Sequence, residues 1–316
     1  MTTADLISDF LEYCELEKNH SELTILNYEH YLRRFLEFAE SKEGDDFGPQ
    51  KIDMDLVRSY RLHLNRMTDQ KGNTLKKITQ NYHVIALRAF LKYLAKRDVR
   101  SLSAEKIELG DAKRKQVEFL EFEEVVRLMD APLKQKQTET NKIISVRDKA
   151  ILELLFSTGL RVSELVGLNR TQVNLDRGEF MVRGKGSKDR VVFMSDGAKH
   201  WINEYLKLRA DNFKPLFIRY SGSKDEIEDG EYLRLTSRSV QRIVNAYARA
   251  AGIVKKVTPH TLRHSFATDL LINGADIRSV QSMLGHSSIT TTQIYTHLTN
   301  KQLKEVHQAF HGRRRS

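Results

Sequence analysis

The stretch Arg147-Asp148-Lys149-Ala150-Ile151-Leu152-Glu153-Leu154-Leu155-Phe156 runs on into Thr158-Gly159-Leu160-Arg161-Val162-Ser163-Glu164-Leu165. Its apolar residues recur at helical spacing, which predicts a strong amphipathic helix. Gly159 supplies the C-cap that ends it. A second helix is expected to start at Ser163-Glu164-Leu165. Arg161 sits in the break between the two, where a side chain can project into a cleft. A guanidinium offers a planar fork matched to two phosphate oxygens and stays charged at any relevant pH. Glu164 lies three residues further on and can hold that guanidinium in place. Taken alone, the pair is first an ordinary surface ion pair worth a few tenths of a kcal/mol.

Further along, Phe180-Met181-Val182-Arg183 and Arg190-Val191-Val192-Phe193 predict two short strands. The turn from Gly184 to Asp189 joins them as a hairpin with Lys185 at its tip. A solvent-exposed turn lysine is the commoner role there. The spacing of Gly178, Gly184 and Lys185 does not fit a nucleotide phosphate loop, and Gly186 replaces its hydroxyl residue. The acidic segment 221–230 is read as a solvent loop. Thr236 and Ser237 are N-cap candidates for a basic helix carrying Arg238, Arg242 and Arg249. Pro259 opens another helix, which puts His260 and Arg263 on one face near an end that favours anions. His260 and His264 have the spacing of a zinc pair. No glutamate follows His260 and the only cysteine is remote, so no metal is expected. Gly285 stops a helix before His286, and Ser287-Ser288 cap the next one. Tyr295 lies about two turns into that helix. Alone, such a tyrosine is a half-buried core residue.

Upstream, the first hundred residues read as a small helical bundle without strand signal. Leu6, Phe10 and Cys14 repeat at helical spacing, as do Tyr28, Leu32, Phe35 and Ala39, and Tyr82, Ile85, Ala89 and Tyr93. A shorter helix is expected from about Asp55 to Leu64. Basic residues decorate the bundle, among them Arg33, Arg34, Lys76, Lys77, Arg88, Lys92, Lys96 and Arg97. The polar segment 101–117 has no sustained apolar period and is read as a linker. A second domain is expected over 118–316.

The 316 residues suit two domains. A 40% hydrophobic and 30% charged composition is that of a globular chain. The formal charge of +10 and pI of about 9.5 favour a polyanionic partner. No stretch approaches the roughly 18 apolar residues of a membrane span. Met1-Thr2-Thr3-Ala4-Asp5 is not read as a signal peptide, and the lone Cys14, a core residue, fits a reducing cytoplasm.

In their order along one basic chain, the motifs around Arg161, Lys185, His260, Arg263, His286 and Tyr295 resemble the tyrosine site-specific recombinases. This is the family of the phage integrases, and the closest likeness is to its Xer branch. The segments that carry the resemblance are Thr158 to Leu165, Leu262-Arg263-His264-Ser265-Phe266-Ala267-Thr268, Leu284-Gly285-His286-Ser287 and Thr291-Thr292-Gln293-Ile294-Tyr295-Thr296-His297. The resemblance implies a mainly α fold with a small β-sheet. It divides into a helical, SAM-like core-binding domain over 1–100 and an α+β catalytic domain over 118–316.

By the same resemblance, Tyr295 attacks the scissile phosphate and forms a 3′-phosphotyrosyl link. Arg161 and Arg263 clamp its non-bridging oxygens, and His286 adds a third donor. Lys185 protonates the departing 5′ oxygen, His260 assists proton transfer, and Glu164 buttresses the arginine pocket. Arg88, Lys92, Arg238 and Arg242 are the DNA-binding candidates. No cofactor is expected, because covalent attack keeps the phosphodiester energy in the protein–DNA bond. The expected partner is a double-stranded recombination site held by a homo- or hetero-tetramer. An amphipathic helix over Asn300 to Phe310 would be exchanged between its subunits, with docking in cis on its own domain left open by the sequence. Chromosome dimer resolution is the leading role. Integration or excision of a mobile element, an inactive DNA-binding relative and a type IB topoisomerase stay open.

Overall fold

The computed structural model describes residues 2–110, 118–134, 139–184, 189–221 and 229–285. The chain divides into two compact units, Met1–Lys115 and Gln116–Ser316. Among the described residues the fold is mainly α, with one two-stranded antiparallel sheet. No helix there is long and apolar enough to cross a membrane.

Among its described residues the first unit holds four α-helices. Helix α1 (Thr3–Leu16) starts at a capping box. The Thr2 hydroxyl accepts from the Asp5 amide at 3.1 Å, and the Asp5 carboxylate accepts from the Thr2 amide at 2.7 Å. Helix α2 (Glu22–Glu43) stops at Gly44, which takes φ 89°. Asp53 caps α3 (Met54–Arg66) by accepting from the Leu56 amide. Helix α4 (Lys77–Lys96) completes the bundle. Leu6, Phe10, Cys14, Leu32, Phe35 and Ala39 are buried as their spacing predicts, and Tyr28 is half-buried beside them.

Helix α4 departs from its expected stripe. Tyr82 is exposed, Ile85 and Ala89 are half-buried, and only Tyr93 of that set is buried. The buried set is instead His83, Val84, Ala86, Leu87, Phe90, Leu91, Tyr93 and Leu94. This helix packs against α1, α2 and α3 together, so no single stripe describes its burial. The segment read as a linker also starts too early. Ala104 and Ile107 lie in the first unit's core, and the side chains of Asn81 and Arg61 hold the carbonyls of Gly110 and Glu108. Two buried apolar residues form no period, yet they suffice to anchor the segment. Residues 111–117 lie outside the described set.

Burial of His83 makes the first unit sensitive to acid. Its Nδ1 lies 3.1 Å from the Tyr60 hydroxyl, and its Nε2 lies 3.5 Å from Nη1 of Arg34. A guanidinium only donates, so Nε2 accepts and the ring is neutral. Desolvation, then the Arg34 and His30 charges, push its pKa down from 6.5 to about 4. The unfolded chain therefore binds this proton more tightly than the folded one. The contribution to stability is complete above pH 6.5 and is lost as pH falls toward 4. Between pH 7 and 4.5 this amounts to roughly 2–3 kcal/mol at most. We expect urea unfolding of His83→Gln to lose less stability over that interval than the parent does. Equal losses would remove His83 as the acid-sensitive group.

The second unit is built around α6 (Glu139–Thr158). Helix α5 (Phe122–Asp130) precedes it. After it come α7 (Val162–Val166), β1 (Glu179–Arg183), β2 (Asp189–Phe193), α8 (Asp196–Leu208), α9 (Ser237–Ala250), α10 (Pro259–Ile272) and α11 (Ile277–Leu284). Helix α6 packs on α5, α8, α10 and β2, and Ala150, Ile151, Leu152, Leu154 and Leu155 are fully buried. Arg147, Asp148 and Lys149 are buried as well, which an amphipathic reading does not anticipate. Partners compensate them. Arg147 pairs with Asp148 at 2.7 Å and donates to the Ile218 carbonyl, Tyr247 donates to Asp148, and Lys149 pairs with Glu153 at 2.8 Å. In the hairpin, Phe180 faces Val192 and Val182 faces Arg190, and Phe180, Val182 and Val192 are buried. The tip, residues 185–188, and most of the acidic loop, 222–228, lie outside the described set.

Candidate active site

Local sequence fixes each wall of the site. Helix α6 ends because Gly159 adopts φ 59°, a left-handed conformation. A Cβ there would stand 2.5 Å from the Phe266 ring and 3.0 Å from Leu284, so this position also needs glycine for space. The turn delivers Arg161 to the start of α7. There the Glu164 carboxylate accepts from the Arg161 amide at 2.8 Å and from its Nη1 at 2.9 Å. Thr258 caps α10 with Pro259 in the first turn, so His260 and Arg263 fall on its opening turns. Gly285, at φ 62°, ends α11.

Three arginines meet at that last helix end. Arg190 donates through Nε to the Met283 carbonyl at 3.1 Å, Arg263 through Nη2 to the Leu284 carbonyl at 2.5 Å, and Arg161 through Nη2 to the Gly285 carbonyl at 3.3 Å. The last carbonyls of a helix carry partial negative charge and lack helical partners, so cations suit them. Arg263 also donates to the Gly159 carbonyl and is buried. The Arg161 side chain remains 27% exposed, which leaves it open to a ligand.

Glu164 holds the cluster together. Arg190 clamps both its oxygens, at 2.7 and 2.8 Å, while Arg161 supplies two further donors. Burial alone would raise the carboxyl's pKa. The hydrogen bonds from Arg190 and Arg161 and their charges outweigh it and hold Glu164 below the usual carboxylate range. His260 stands exposed on the surface. Partial desolvation, then the charges of Arg263 and Arg161, hold its imidazole below the usual histidine range. It is therefore a neutral base at pH 7, beside two cations. Behind it the half-buried His264 is pushed down to about 4 by desolvation, His260 and Arg263. No group of three or more metal-ligating side chains exists among the described residues.

Arg161, Glu164, His260 and Arg263 thus come together from segments far apart in the chain. Lys185, His286 and Tyr295 lie outside the described residues, as do the Asn300–Phe310 segment and the arginines at 313–315. Of the basic candidates elsewhere, Arg88 is half-buried on α4, and Lys92 is exposed there, 3.5 Å from Glu105. Arg238 and Arg242 are exposed one turn apart on α9. Arg190 is a site residue that the motifs do not single out. Its one signal is its position, two residues before Val192 and so on the inward face of β2, where a cation requires a partner.

Residues 118–302 match the phage integrase family, and residues 7–98 match the phage integrase N-terminal SAM-like domain. The chain is 37% identical over 310 residues to tyrosine recombinase XerD of Oceanobacillus iheyensis, covering 97% of this chain and 98% of that protein. It is 36% identical over 315 residues to tyrosine recombinase XerC of Thermodesulfovibrio yellowstonii, covering 96% and 95%. The fold is similar, at TM-score 0.70 and 24% identity, to a XerH site-specific recombinase in a post-cleavage complex with palindromic difH substrate. That match covers 95% of this chain and 83% of the other. With its arginine pocket closed around Glu164 and both parts of its length matched, the chain belongs to the phage integrase family, as a tyrosine recombinase of the Xer type that cleaves and rejoins DNA at specific sites.

Proposed function

We propose that the chain exchanges DNA strands through a 3′-phosphotyrosyl intermediate with Tyr295 as the nucleophile. The phenolic oxygen attacks the scissile phosphorus, the bond from phosphorus to the 5′ oxygen breaks, and Lys185 gives that oxygen its proton. Rejoining reverses these steps with a 5′ hydroxyl from the partner duplex. A phenol with a pKa near 10 needs help to attack at neutral pH. His260 takes its proton. Arg161, Arg263 and His286 bind the phosphate oxygens as charge spreads over them. The observation that carries this reading is the convergence of Arg161 and Arg263 on the carbonyls of Gly285 and Leu284, directly before His286 and with the neutral His260 beside them. The roles of Lys185, His286 and Tyr295 rest on their sequence motifs.

In this reading residues 1–110 grip one side of the duplex, 111–117 connect and 118–316 carry out the chemistry. Arg88, Lys92, Arg238 and Arg242 track phosphates. Four protomers, identical or of two kinds, assemble on two duplexes in the cytoplasm and exchange their C-terminal helices. The XerC and XerD names of its relatives favour chromosome dimer resolution, with a part in chromosome partition at cell division, over movement of a mobile element. A duplex nicked beside the cleavage position tests the chemistry. The parent should accumulate a protein–DNA adduct that survives denaturing electrophoresis, and Tyr295→Phe should form none while binding the duplex normally. An adduct of undiminished yield from Tyr295→Phe would end the assignment. Fragments selected from the host genome should map to one site near the replication terminus; sites flanking an element would favour the alternative role.

A further inference from the structure

Glu164 presents a problem for a phosphate clamp. A carboxylate that receives both a backbone and a side-chain donor from Arg161 is well placed to neutralise that arginine and to repel an incoming phosphate. The arrangement around Arg190 removes the difficulty. Its two terminal nitrogens take one Glu164 oxygen each, a bidentate geometry stronger than the single side-chain bond from Arg161. The trio of two guanidinium cations and one carboxylate then retains one positive charge. That surplus charge is reachable by a ligand through Arg161, whose side chain is 27% exposed against 10% for Arg190.

Backbone features hold Arg190 in this orientation. Its Nε donates to the Met283 carbonyl, and Gly285 leaves room for its stem. A Cβ at Gly285 would lie 3.0 Å from the Arg190 Cδ and 3.2 Å from its Nη1. The register of the hairpin places Arg190 opposite Val182, on the strand face that looks into the unit.

We propose that Arg190 is a positioning residue for strand cleavage, which occupies Glu164 so that the Arg161 charge stays available to the scissile phosphate. This rests on the reading of Arg161 as a phosphate clamp. Arg190 itself does not touch the DNA; it acts through Glu164. Lysine is no substitute, since one ammonium cannot clamp both carboxylate oxygens and also reach Met283.

Single-turnover cleavage of the nicked duplex by the full chain tests the idea, with DNA affinity measured in parallel. Arg190→Gln should cleave about 10²-fold more slowly, with affinity changed less than about threefold, because the freed Glu164 now neutralises Arg161. Arg190→Lys should behave similarly. The discriminating variant is Glu164→Gln combined with Arg190→Gln. Removing the unbalanced carboxylate should restore at least about tenfold of the rate lost in Arg190→Gln. A residue that merely braced the fold would give losses that compound instead, and that result would overturn the proposal. If Arg190→Gln does not fold, the double variant is compared with Glu164→Gln alone. Rates within about threefold support the proposal, and a much slower double variant refutes it. Arg161→Ala separates the two ideas. If it cleaves normally, the clamp reading itself fails. If it is inactive while Arg190→Gln cleaves like the parent, only the role of Arg190 is lost.

Discussion

Arg161→Ala and Arg263→Ala are each expected to reduce cleavage of the nicked duplex by roughly 10³-fold or more while retaining DNA binding, yet to differ sharply in stability. Both guanidinium groups serve the same phosphate in the proposed mechanism, so the chemical losses are similar. Their surroundings are not. Removing the Arg161 side chain leaves Glu164 with both bonds from Arg190 and the bond from the residue 161 amide. What is lost is a partly exposed ion pair and one long bond to Gly285, so stability should fall by less than about 1 kcal/mol. Arg263 is buried and supplies donors to the carbonyls of Gly159 and Leu284. Its loss strips both of their guanidinium donors at once, which should cost roughly 2–3 kcal/mol. Adduct yields and urea unfolding midpoints measured on the same preparations check both halves. Near-normal recombination by either variant would defeat the clamp. Equal stability losses would mean that Arg263 does not hold the turn after α6 against the end of α11.

The sequence carries the punctuation of the catalytic unit more clearly than its packing. Gly159 and Gly285 end α6 and α11 in left-handed conformations, while Thr236 and Pro259 mark the starts of α9 and α10. Such signals are local, because a cap needs only its own few residues. The hairpin is legible for the same reason, since alternation and a glycine-rich turn are short-range features. The missing parts depend on distant partners. The burial of α4 follows from three helices meeting around it, and no window of its own sequence records them. The polar heads of α6 are buried because Tyr247 and the Ile218 carbonyl arrive from far along the chain. In sequence, Glu164 reads as a partner of Arg161, three residues away. Its stronger partner, Arg190, is 26 residues distant and becomes its neighbour only when the hairpin folds back. The resemblance of the motifs thus suggests the chemistry, whereas the balance of charge within the pocket emerges only from the tertiary structure.

The other large effect is expected at a residue with no functional group. Gly159→Ala should slow cleavage by about 10²-fold and destabilise the chain by roughly 2–5 kcal/mol. Two costs combine. An L-residue at φ 59° pays about 1–2 kcal/mol for the left-handed conformation. The added methyl would also meet Phe266 ring atoms at 2.5 and 2.9 Å and Leu284 at 3.0 Å, an overpacking that typically costs about 1–3 kcal/mol. Neither neighbour can yield without disturbing the site. Phe266 lies one turn beyond Arg263 on α10, and the Leu284 carbonyl accepts from Arg263. Moving either shifts the guanidinium, and a displacement of about 1 Å at a reacting centre is enough for a hundredfold loss. Gly252→Ala is the control. That glycine takes φ 69°, and a methyl added to it would meet nothing within 4 Å, so it bears the conformational cost alone. Thermal unfolding and single-turnover cleavage of the two variants separate strain from collision. If Gly159→Ala matched Gly252→Ala in both, the close approach of α6, α10 and α11 at Gly159 would not be what sets the position of Arg263.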